Sequence, residues 1–307
     1  MFVDLIIIIQ LFSMRNFFLG IFVLLLFGCQ SGINANSFFS STSDTLRIAT
    51  FNVRIRTNAD KNERAWVRRK DHVAELINSY RMDIVGAQEL IDISQHKDLQ
   101  KRLPNHASFT KGRDDTEGNT GERLSIFFHR ERFHMLDSGF FFLSETPEIA
   151  SRGWDAALNR ICQWVYLHDN ITKRRFYVFN THFDHQGIRA RARSSELVVS
   201  KIRDIAGDNA VFIIGDINAS PFERDVYDVF RASFRDAKKI SPVVTGPAGT
   251  FNGWRVWDTN FGENLRIDYI FVSKGIAVAE YHVINKQFVP ETFPSDHFPV
   301  FSVCLFE

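Results

Sequence analysis

Apolar residues recur at helical spacing in several parts of the chain. Between residues 64 and 80 they stand at 66, 67, 73, 74, 76, 77 and 80, which places them on one side of a helix. A helix of this kind packs its apolar side against a core, while the other side meets water. The pattern predicts helices at residues 64–80, 91–102, 188–206 and 222–232.

Other segments carry short apolar runs, or alternate apolar with polar residues, as β-strands do. The run NAVFIIGD at 209–216 is typical of a buried strand. Residues 161–168 and 174–183 alternate, and the basic stretch at 173–175 between them predicts a hairpin turn. The predicted strands lie at 46–53, 83–89, 125–129, 133–143, 161–168, 174–183, 209–216, 266–273, 277–284 and 299–307.

The order of these elements is neither a strict alternation of strands and helices nor an all-β pattern. Two mostly antiparallel sheets packed face to face, with helices covering the outside, accommodate it best. A doubly wound parallel sheet is the alternative. Because no repeat or second linker interrupts residues 46–307, we expect them to form one domain of the α/β class.

Composition supports a large core, and the net charge gives no support for nucleic acid or a membrane surface as a partner. Of 307 residues, 45% are hydrophobic, and the 31 phenylalanines suit strands that fill the space between two sheets. The net charge of +1 gives no overall field toward nucleic acid or membrane. The basic groups at 68–70 and 189–193 lie on predicted helices, where we expect solvated faces.

The N-terminal segment is typical of an export signal. A basic start at Arg15 precedes an unbroken apolar run and then Gly28-Cys29, so residues 1–30 are predicted to be a signal peptide, with Met14 as a possible start. The alternative is a transmembrane anchor, but the apolar stretch 17–27 is short for a span of about 20 residues.

The residues around Cys29 resemble a bacterial lipobox, in which the cysteine is acylated after cleavage. Residues 31–45, rich in Ser, Asn and Thr, would then be a flexible tether. We therefore expect an exported, membrane-anchored lipoprotein in the periplasm or at the cell surface. The remaining cysteines, Cys162 and Cys304, stand in apolar strands and are expected to be buried thiols.

Polar side chains stand at the ends of the predicted strands. One such residue is usually a cap or a turn, but turns favour Gly, Pro and Ser as much as acids, so a whole series is harder to explain in this way. Carboxylates, amides and histidines that converge without cysteine suit a hard cation such as Mg²⁺. The residues concerned are Asn52, Glu89, His182, Asp216, Asn218, Asp268, Asp296 and His297.

The motifs FNV, GAQE, NTHFDH, GDIN, RIDYIF and SDH, in this order, resemble the motif series of the endonuclease/exonuclease/phosphatase superfamily, which has the deoxyribonuclease I-like fold. They run from residue 51 to residue 297 and so span nearly the whole predicted domain. The resemblance implies a four-layer αββα sandwich, with the active site at one edge of the two sheets.

The resemblance also implies a metal side of the site. Glu89 resembles the main metal carboxylate, Asn52 a supporting group and Asp296 a further acid beside the metal, which we expect to be Mg²⁺, with Mn²⁺ as a second option. The sequence departs from several family members at Arg54, where an acid is found in them. An arginine there reduces the negative charge, which puts a second metal in doubt.

The catalytic group implied by the resemblance contains five residues. Asp216 would orient or deprotonate the attacking water. His297 resembles the catalytic histidine, with Asp268 holding its second nitrogen. His182 would contact the phosphate or assist the leaving group, and Asn218 would donate a hydrogen bond to the phosphate or the nucleophile.

Two further residues are candidates for substrate binding. Arg160 ends the segment GWDAALNR, which resembles a branch of secreted bacterial members of the superfamily, and arginine is a natural bidentate partner of phosphate. It could equally pair with Asp155 or Glu145. His185, in NTHFDH, has either a role near the substrate or a place in a solvated loop.

These features predict a monomeric metal-dependent enzyme that hydrolyses phosphate mono- or diesters by in-line attack of water. A phosphodiesterase, a nuclease and a phosphatase all fit, with nucleic acid, a phospholipid head group or a sugar phosphate as the substrate. The alternative is a non-catalytic protein that binds a phosphate ligand on the same fold, for which Arg54 is the best support.

Overall fold

A computed structural model describes residues 44–288 and 292–307. The predicted signal peptide, Cys29 and nearly all of the predicted tether lie outside the described residues. Within the described part of the chain, no helix has the length and apolar character that a membrane span requires. The helices are α1 (Trp66–Ser79), α2 (Ile93–Arg102), α3 (Ile188–Ala206), α4 (Arg224–Ser233) and α5 (Ala237–Ile240).

The strands form two sheets, and most neighbours within them are antiparallel. They are β1 (Leu46–Asn52), β2 (Ile84–Leu90), β3 (His106–Gly112), β4 (Arg123–His129), β5 (Phe133–Phe142), β6 (Ile161–Asp169), β7 (Arg175–His182), β8 (Ala210–Asp216), β9 (Arg235–Asp236), β10 (Val243–Thr245), β11 (Asp268–Val272), β12 (Ile276–Val283) and β13 (Val300–Phe306).

The strand order excludes a doubly wound parallel sheet. One sheet has seven strands in the order β10-β12-β13-β1-β2-β4-β3, and the other has six in the order β5-β6-β7-β8-β11-β9. Parallel pairs are β1 with β2, β7 with β8 and β10 with β12. The prediction of two mostly antiparallel sheets is confirmed, and the doubly wound alternative is wrong.

Alternating side chains on β8 explain why the sheets lie between two layers of helix. Phe212 and Ile214 point into the apolar layer between the sheets, whereas Val211 and Ile213 pack in the layer that holds α3 and α4. Successive side chains of a strand face opposite sides, so an unbroken apolar run is buried on both. Each such side chain contributes about 1.5–3 kcal/mol by leaving water.

The other sheet is built in the same way. On β1, Ile48 enters the layer between the sheets, while Ala49 and Phe51 pack with Val73 and Ile77 of α1. The result is the order helix, sheet, sheet, helix, which is the predicted four-layer sandwich.

A buried polar contact links the two sheets. The Gln88 amide on β2 donates to Asn180 Oδ1 on β7 at 2.7 Å and to Thr50 Oγ at 3.0 Å. Asn180 in turn donates to the Ala87 carbonyl at 3.2 Å. Buried groups that are paired in this way hold a defined geometry, because leaving them unpaired is costly. This contact fixes the sheets relative to each other beside the ends of β1, β2 and β7.

Some local expectations differ from the structure. Strand β3 was not predicted, because its mixed sequence HASFTKG lies at the edge of the seven-stranded sheet and is mostly only half-buried. Arg69, expected on a solvated face, is 1% exposed, so that expectation is wrong. Cys162 and Cys304 are buried free thiols, as predicted.

Candidate active site

Three predicted site residues are brought together by strand register alone. Asp216 ends β8, lies opposite Asp268 of the antiparallel β11 and is in register with His182 of the parallel β7. A Cβ on Gly215 would lie 2.2 Å from the Thr181 carbonyl oxygen, so only glycine allows β7 and β8 to approach this closely. The GDIN motif therefore fixes Asp216 between two strand ends.

Asp216 is the centre of the arrangement. Its Oδ2 accepts a hydrogen bond from Asn52 Nδ2 at 3.0 Å and lies 3.6 Å from His182 Nε2 and 3.8 Å from His297 Nε2. Its Oδ1 accepts from the backbone amide of Asn218 at 2.9 Å. Burial and the nearby Asp268 raise the pKa of Asp216, against the opposing effect of the two histidines.

His297 pairs with Asp268, as the sequence predicted. His297 Nδ1 lies 3.0 Å from Asp268 Oδ2, and both side chains are buried. Burial lowers the pKa of His297, but Asp268, Asp216 and Asp296 outweigh it and raise this pKa to about 10. The imidazole is therefore positively charged at neutral pH.

His182 has the opposite electrostatic environment. Its Nδ1 lies 3.0 Å from Arg160 Nη1 and 3.3 Å from Glu122 Oε1. Burial and the charge of Arg160 lower the pKa of His182 to about 3, so the ring is neutral. Because the guanidinium can only donate, Nδ1 accepts and the ring proton belongs on Nε2, which faces Asp216.

Arg160 lies at the edge of this group, and His185 lies behind it. Arg160 Nη2 is 3.1 Å from His185 Nδ1, and Arg160 Nε is 3.5 Å from Asp184 Oδ2. The predicted alternatives, pairing with Asp155 or Glu145, are not found among the ion pairs of the described residues. The contact with Arg160 links His185 to the centre of the site.

Glu89 is placed by an irregular end of β2. The pairing of β2 with β4 is interrupted between Ala87 and Leu90, and Glu89 has a left-handed backbone with φ of 63°. Its Oε1 accepts from Asn52 Nδ2 at 3.0 Å, and its Oε2 accepts from the amide of Ile55 at 3.2 Å. A strained non-glycine backbone at a polar site is typical of functional residues.

Asp296 is connected to the end of β1 rather than to Asp216. Ser295 Oγ donates to the Asn52 carbonyl at 2.7 Å and lies 3.3 Å from Asp296 Oδ1. Arg54 Nη1 is 3.5 Å from Asp296 Oδ2, and its Nε is 3.1 Å from Asp60 Oδ2. Burial raises the pKa of Asp296, although His297 and Arg54 oppose this.

Asn218 is close to Asp216, but its side chain also has a local partner. Its Nδ2 donates to the Phe183 carbonyl at 3.0 Å, and its backbone has φ of 48°. The amide is thus held at the end of β8, beside the loop that follows β7. All the predicted site residues from Asn52 to His297 therefore lie at the same end of the two sheets.

The sequence analysis missed Glu122 and Arg113. Arg113 Nη1 donates to Glu122 Oε1 at 2.6 Å, and that oxygen faces His182. Both residues belong to the loop between β3 and β4, in the stretch GRDDTEGNTGE. Glu122 precedes a strand instead of ending one, so the pattern of polar strand ends does not indicate it.

Two groups of side chains could hold a cation. Among the described residues, Asp216, Asp268 and His297 offer ligand atoms that lie within 4.8 Å of one another. The sequence instead indicates Glu89, Asn52 and Asp296. Glu89 is half-buried. Burial and the nearby Glu122 raise its pKa, but the charge of His297 and the hydrogen bond from Asn52 help to lower it below its usual value, so the carboxylate is ionised at neutral pH. Both groups supply the oxygen atoms that Mg²⁺ prefers.

Comparisons with known proteins agree on one family. Residues 49–297 match the Endonuclease/Exonuclease/phosphatase family. A solved structure of a family protein from Bacteroides thetaiotaomicron is 34% identical, has a TM-score of 0.79, and the match covers 86% of this chain and 98% of that one. A mannosyl-6-phosphatase from the same species is 33% identical with a TM-score of 0.79, and the match covers 85% of this chain and all of that one.

A further relative is an enzyme that acts on a lipid. Sphingomyelinase C 2 of Leptospira interrogans is 25% identical over 251 residues, which are 71% of this chain and 39% of that protein. The family match over residues 49–297 and the two Bacteroides structures show that this chain belongs to the endonuclease/exonuclease/phosphatase family of phosphoester hydrolases.

Proposed function

We propose that this protein is a Mg²⁺-dependent phosphohydrolase that cleaves phosphate mono- or diesters outside the cytoplasm by in-line attack of water. One observation carries the proposal: a single buried oxygen, Asp216 Oδ2, lies within 3.0–3.8 Å of nitrogen atoms of Asn52, His182 and His297. A buried carboxylate surrounded by donors suits proton transfer next to a developing negative charge.

Asp216 is the proton acceptor in this proposal. Its raised pKa brings the carboxylate closer to the proton affinity that a general base needs. As the water oxygen forms its bond to phosphorus, one water proton passes to Asp216. General base catalysis of this kind contributes about 10²–10⁴-fold.

The two histidines stabilise opposite ends of the reaction. His297, charged through its contact with Asp268, offers a positive N–H to the phosphate oxygens. His182, neutral and protonated on Nε2, offers a hydrogen bond to the leaving oxygen as its bond to phosphorus breaks. Asn218 supports the phosphate or the incoming water.

The metal is proposed to bind at Glu89, with Asn52 and Asp296 beside it. We favour this group over Asp216, Asp268 and His297 because the charged His297 carries a proton on each ring nitrogen and has no lone pair to offer a metal. A bound Mg²⁺ would supply positive charge that polarises a phosphoryl oxygen. Mn²⁺ has the same preference for oxygen ligands and is the second candidate.

Sugar phosphomonoesters are the first substrate class to test. The similarity to the mannosyl-6-phosphatase extends along the whole of that protein, which is named for a phosphate monoester of a sugar. Arg160, at the edge of the site, suits a terminal phosphate because its guanidinium can donate two parallel hydrogen bonds. The N-terminal sequence predicts an exported protein with a lipid anchor. Such a protein, expected to be a monomer, would act on esters outside the cytoplasm.

A phosphodiester is the second candidate. It is favoured by the similarity to sphingomyelinase C 2, although that relative shares only 25% identity and is much longer than the matched region. A phospholipid head group would then be the substrate.

The test is hydrolysis of a panel of esters by the full-length chain. Mannose 6-phosphate, bis(nitrophenyl) phosphate, sphingomyelin and single-stranded DNA are incubated with Mg²⁺ or with EDTA, and phosphate or product release is measured. We expect release that EDTA abolishes, and a loss of at least about 10²-fold in His297→Ala. The exposed histidine variant His134→Ala is the matched control. Absence of metal-dependent release from every ester would refute the proposal.

A further inference from the structure

Arg69 of α1 is a buried cation surrounded by carbonyl oxygens. Its side chain is 1% exposed, and its guanidinium donates to the carbonyls of Arg54 at 2.8 Å, Ile55 at 3.1 Å and Pro294 at 3.3 Å, and also to that of Val53. Its Nε donates to the Arg64 carbonyl at 2.8 Å. All five N–H donors of the arginine are therefore used on backbone oxygens.

The rings of two tryptophans enclose the same guanidinium. The Arg69 Cζ lies 5.0 Å from the ring centre of Trp66 and 5.8 Å from that of Trp254. Burial lowers the pKa of Arg69 to about 10, so the group remains charged at neutral pH. A buried charge without a carboxylate in direct contact is costly, and here carbonyl dipoles and aromatic faces offset that cost.

Four of the five carbonyls that Arg69 holds, all except that of Arg64, belong to the two segments that carry the proposed metal side. Residues 53–55 directly follow Asn52 and include Arg54, whose backbone has φ of 61°. Pro294 directly precedes Ser295, Asp296 and His297. The left-handed turn at Arg54 is also held by Gln95, which donates to the Arg54 carbonyl at 3.0 Å. A non-glycine residue keeps such a backbone only when its surroundings impose it.

We propose that Arg69 is a positioning residue for catalysis: it ties the turn after β1 to the segment before His297, and so sets where Asn52 and Arg54 stand relative to Asp296 and His297. The inference rests on the proposed function, because it concerns the same site. It assigns a role in the reaction to a side chain that touches no reacting atom, and it explains why a cation is buried at this point of α1.

A lysine cannot reproduce this arrangement. It keeps the charge, but it has three donors on one nitrogen in place of a planar fork, so it cannot reach carbonyls of both segments at once. Arg69→Lys should therefore loosen the link between the two segments while it keeps the positive charge at this position of α1. The effect expected is lower kcat and weaker metal binding, with KM for the ester changed less than kcat.

The chain offers a matched control at the opposite end of the sheets. Arg132 is 8% exposed, pairs with Asp169 at 2.8 Å and Asp83 at 2.9 Å, and donates to the Thr45 carbonyl, just before β1 begins. Arg132→Lys makes the same chemical change to a buried arginine, but far along the strands from Asn52 and His297.

The experiment compares full-length wild type, Arg69→Lys and Arg132→Lys. Thermal unfolding reports stability, electron paramagnetic resonance of added Mn²⁺ reports the dissociation constant of the metal, and turnover of the best ester from the panel gives kcat and KM. We expect Arg69→Lys to lose at least tenfold in kcat and severalfold in Mn²⁺ affinity at a temperature where it is folded. Arg132→Lys should keep both values within twofold.

The outcomes distinguish a failure of the proposed function from a failure of the positioning role of Arg69. If wild type neither binds Mn²⁺ nor cleaves any ester, the proposed function fails. If wild type does both and Arg69→Lys behaves as Arg132→Lys does, only the positioning role fails. If Arg69→Lys does not fold, Gln95→Met replaces it, since Gln95 supports the same turn through the Arg54 carbonyl; unchanged kcat and Mn²⁺ affinity in Gln95→Met would then overturn the inference.

Discussion

His182 and His297 point their Nε2 atoms at the same oxygen, Oδ2 of Asp216, at 3.6 and 3.8 Å. Their other nitrogens face opposite charges, the guanidinium of Arg160 and the carboxylate of Asp268. Burial and Arg160 lower the pKa of His182 to about 3, whereas the carboxylates around His297 outweigh burial and raise its pKa to about 10. The carboxylate of Asp216 thus lies between a neutral and a cationic imidazole. Because their charges differ, one imidazole is suited to hydrogen bonding and proton handling and the other to stabilising negative charge.

The charge of His297 should depend on Asp268. Replacing Asp268 with Asn removes the carboxylate and keeps the side-chain size, so the pKa of His297 should fall toward that of an ordinary histidine. Less imidazolium at pH 8 should reduce kcat by at least about tenfold, since a charged donor to the phosphate is lost. Titration of the His297 ring by NMR in metal-free protein checks the pKa. A His297 that titrates alike in wild type and Asp268→Asn would contradict this assignment.

Asp216→Asn should stop turnover while leaving the fold intact. The two hydrogen bonds go to different oxygens, Oδ2 from Asn52 and Oδ1 from the Asn218 backbone, so the single amide oxygen of the variant keeps one of them and the side chain stays in place. The proton acceptor is lost, and kcat should fall by about 10²–10⁴-fold. Circular dichroism and kcat at saturating Mg²⁺ are measured together. Asp208→Asn, an exposed acid between α3 and β8, is the control and should retain full activity.

Metal dependence should change most when Glu89 changes. In Glu89→Gln the carboxylate that faces Asn52 and the Ile55 amide becomes neutral, so the Mg²⁺ concentration needed for half-maximal activity should rise at least about tenfold. Asp268→Asn should leave that concentration unchanged if the metal binds on the Glu89 side. A rise in Asp268→Asn without one in Glu89→Gln would instead move the metal to the group of Asp216, Asp268 and His297.

Much of the site could be predicted because its residues stand at the ends of regular strands. Asp216, His182 and Asp268 are in register in one sheet, and strand periodicity alone brings them to the same edge. Asn52 and Glu89 end neighbouring strands of the other sheet. Local pattern therefore carries this information, once two sheets are assumed.

What the sequence did not reveal depends on tertiary contacts that leave no local pattern. Glu122 sits in a loop and gains its position from Arg113, His182 and Arg160. Arg69 looks like one of three basic residues on a solvated helix face, because nothing in its neighbourhood along the chain shows the carbonyl of Pro294, 225 residues away. Residues whose partners are so distant cannot be recognised by periodicity.

A buried histidine away from the site should make stability depend on pH. His96 of α2 is 6% exposed and bonds to Ser125 Oγ at 2.9 Å, and burial together with Arg123 lowers its pKa from 6.5 to about 4. The unfolded chain therefore takes up the proton first. The contribution of His96 to the free energy of unfolding is fully present above pH 6.5. It is lost as the pH falls toward 4, which lowers that free energy by up to about 3 kcal/mol.

Urea unfolding of wild type and His96→Gln between pH 7.5 and pH 4 tests this. The free energy of unfolding of His96→Gln should fall less over that interval, because the titrating group is gone, while the exposed His134→Gln should follow wild type. Parallel curves for wild type and His96→Gln would assign the acid sensitivity to other groups.

Gly215→Ala should damage the fold and the site together. Gly215 has φ of 153°, and a Cβ there would lie 2.2 Å from the Thr181 carbonyl oxygen, so the backbone of β7 or β8 must move. The cost should be several kcal/mol, the sum of an unfavourable backbone and a steric clash. Because Asp216 is the next residue, kcat in the remaining folded protein should fall as well.

Gly207→Ala separates the two parts of that cost. Gly207 ends α3 with φ of 53°, but a Cβ there would meet nothing within 4 Å. Its replacement should therefore cost only the backbone strain, about 1–3 kcal/mol, and leave kcat unchanged. Urea midpoints and kcat of both variants are compared. Equal destabilisation by Gly215→Ala and Gly207→Ala would mean that the strand ends tolerate a Cβ, and that the close approach of β7 and β8 does not fix the position of Asp216.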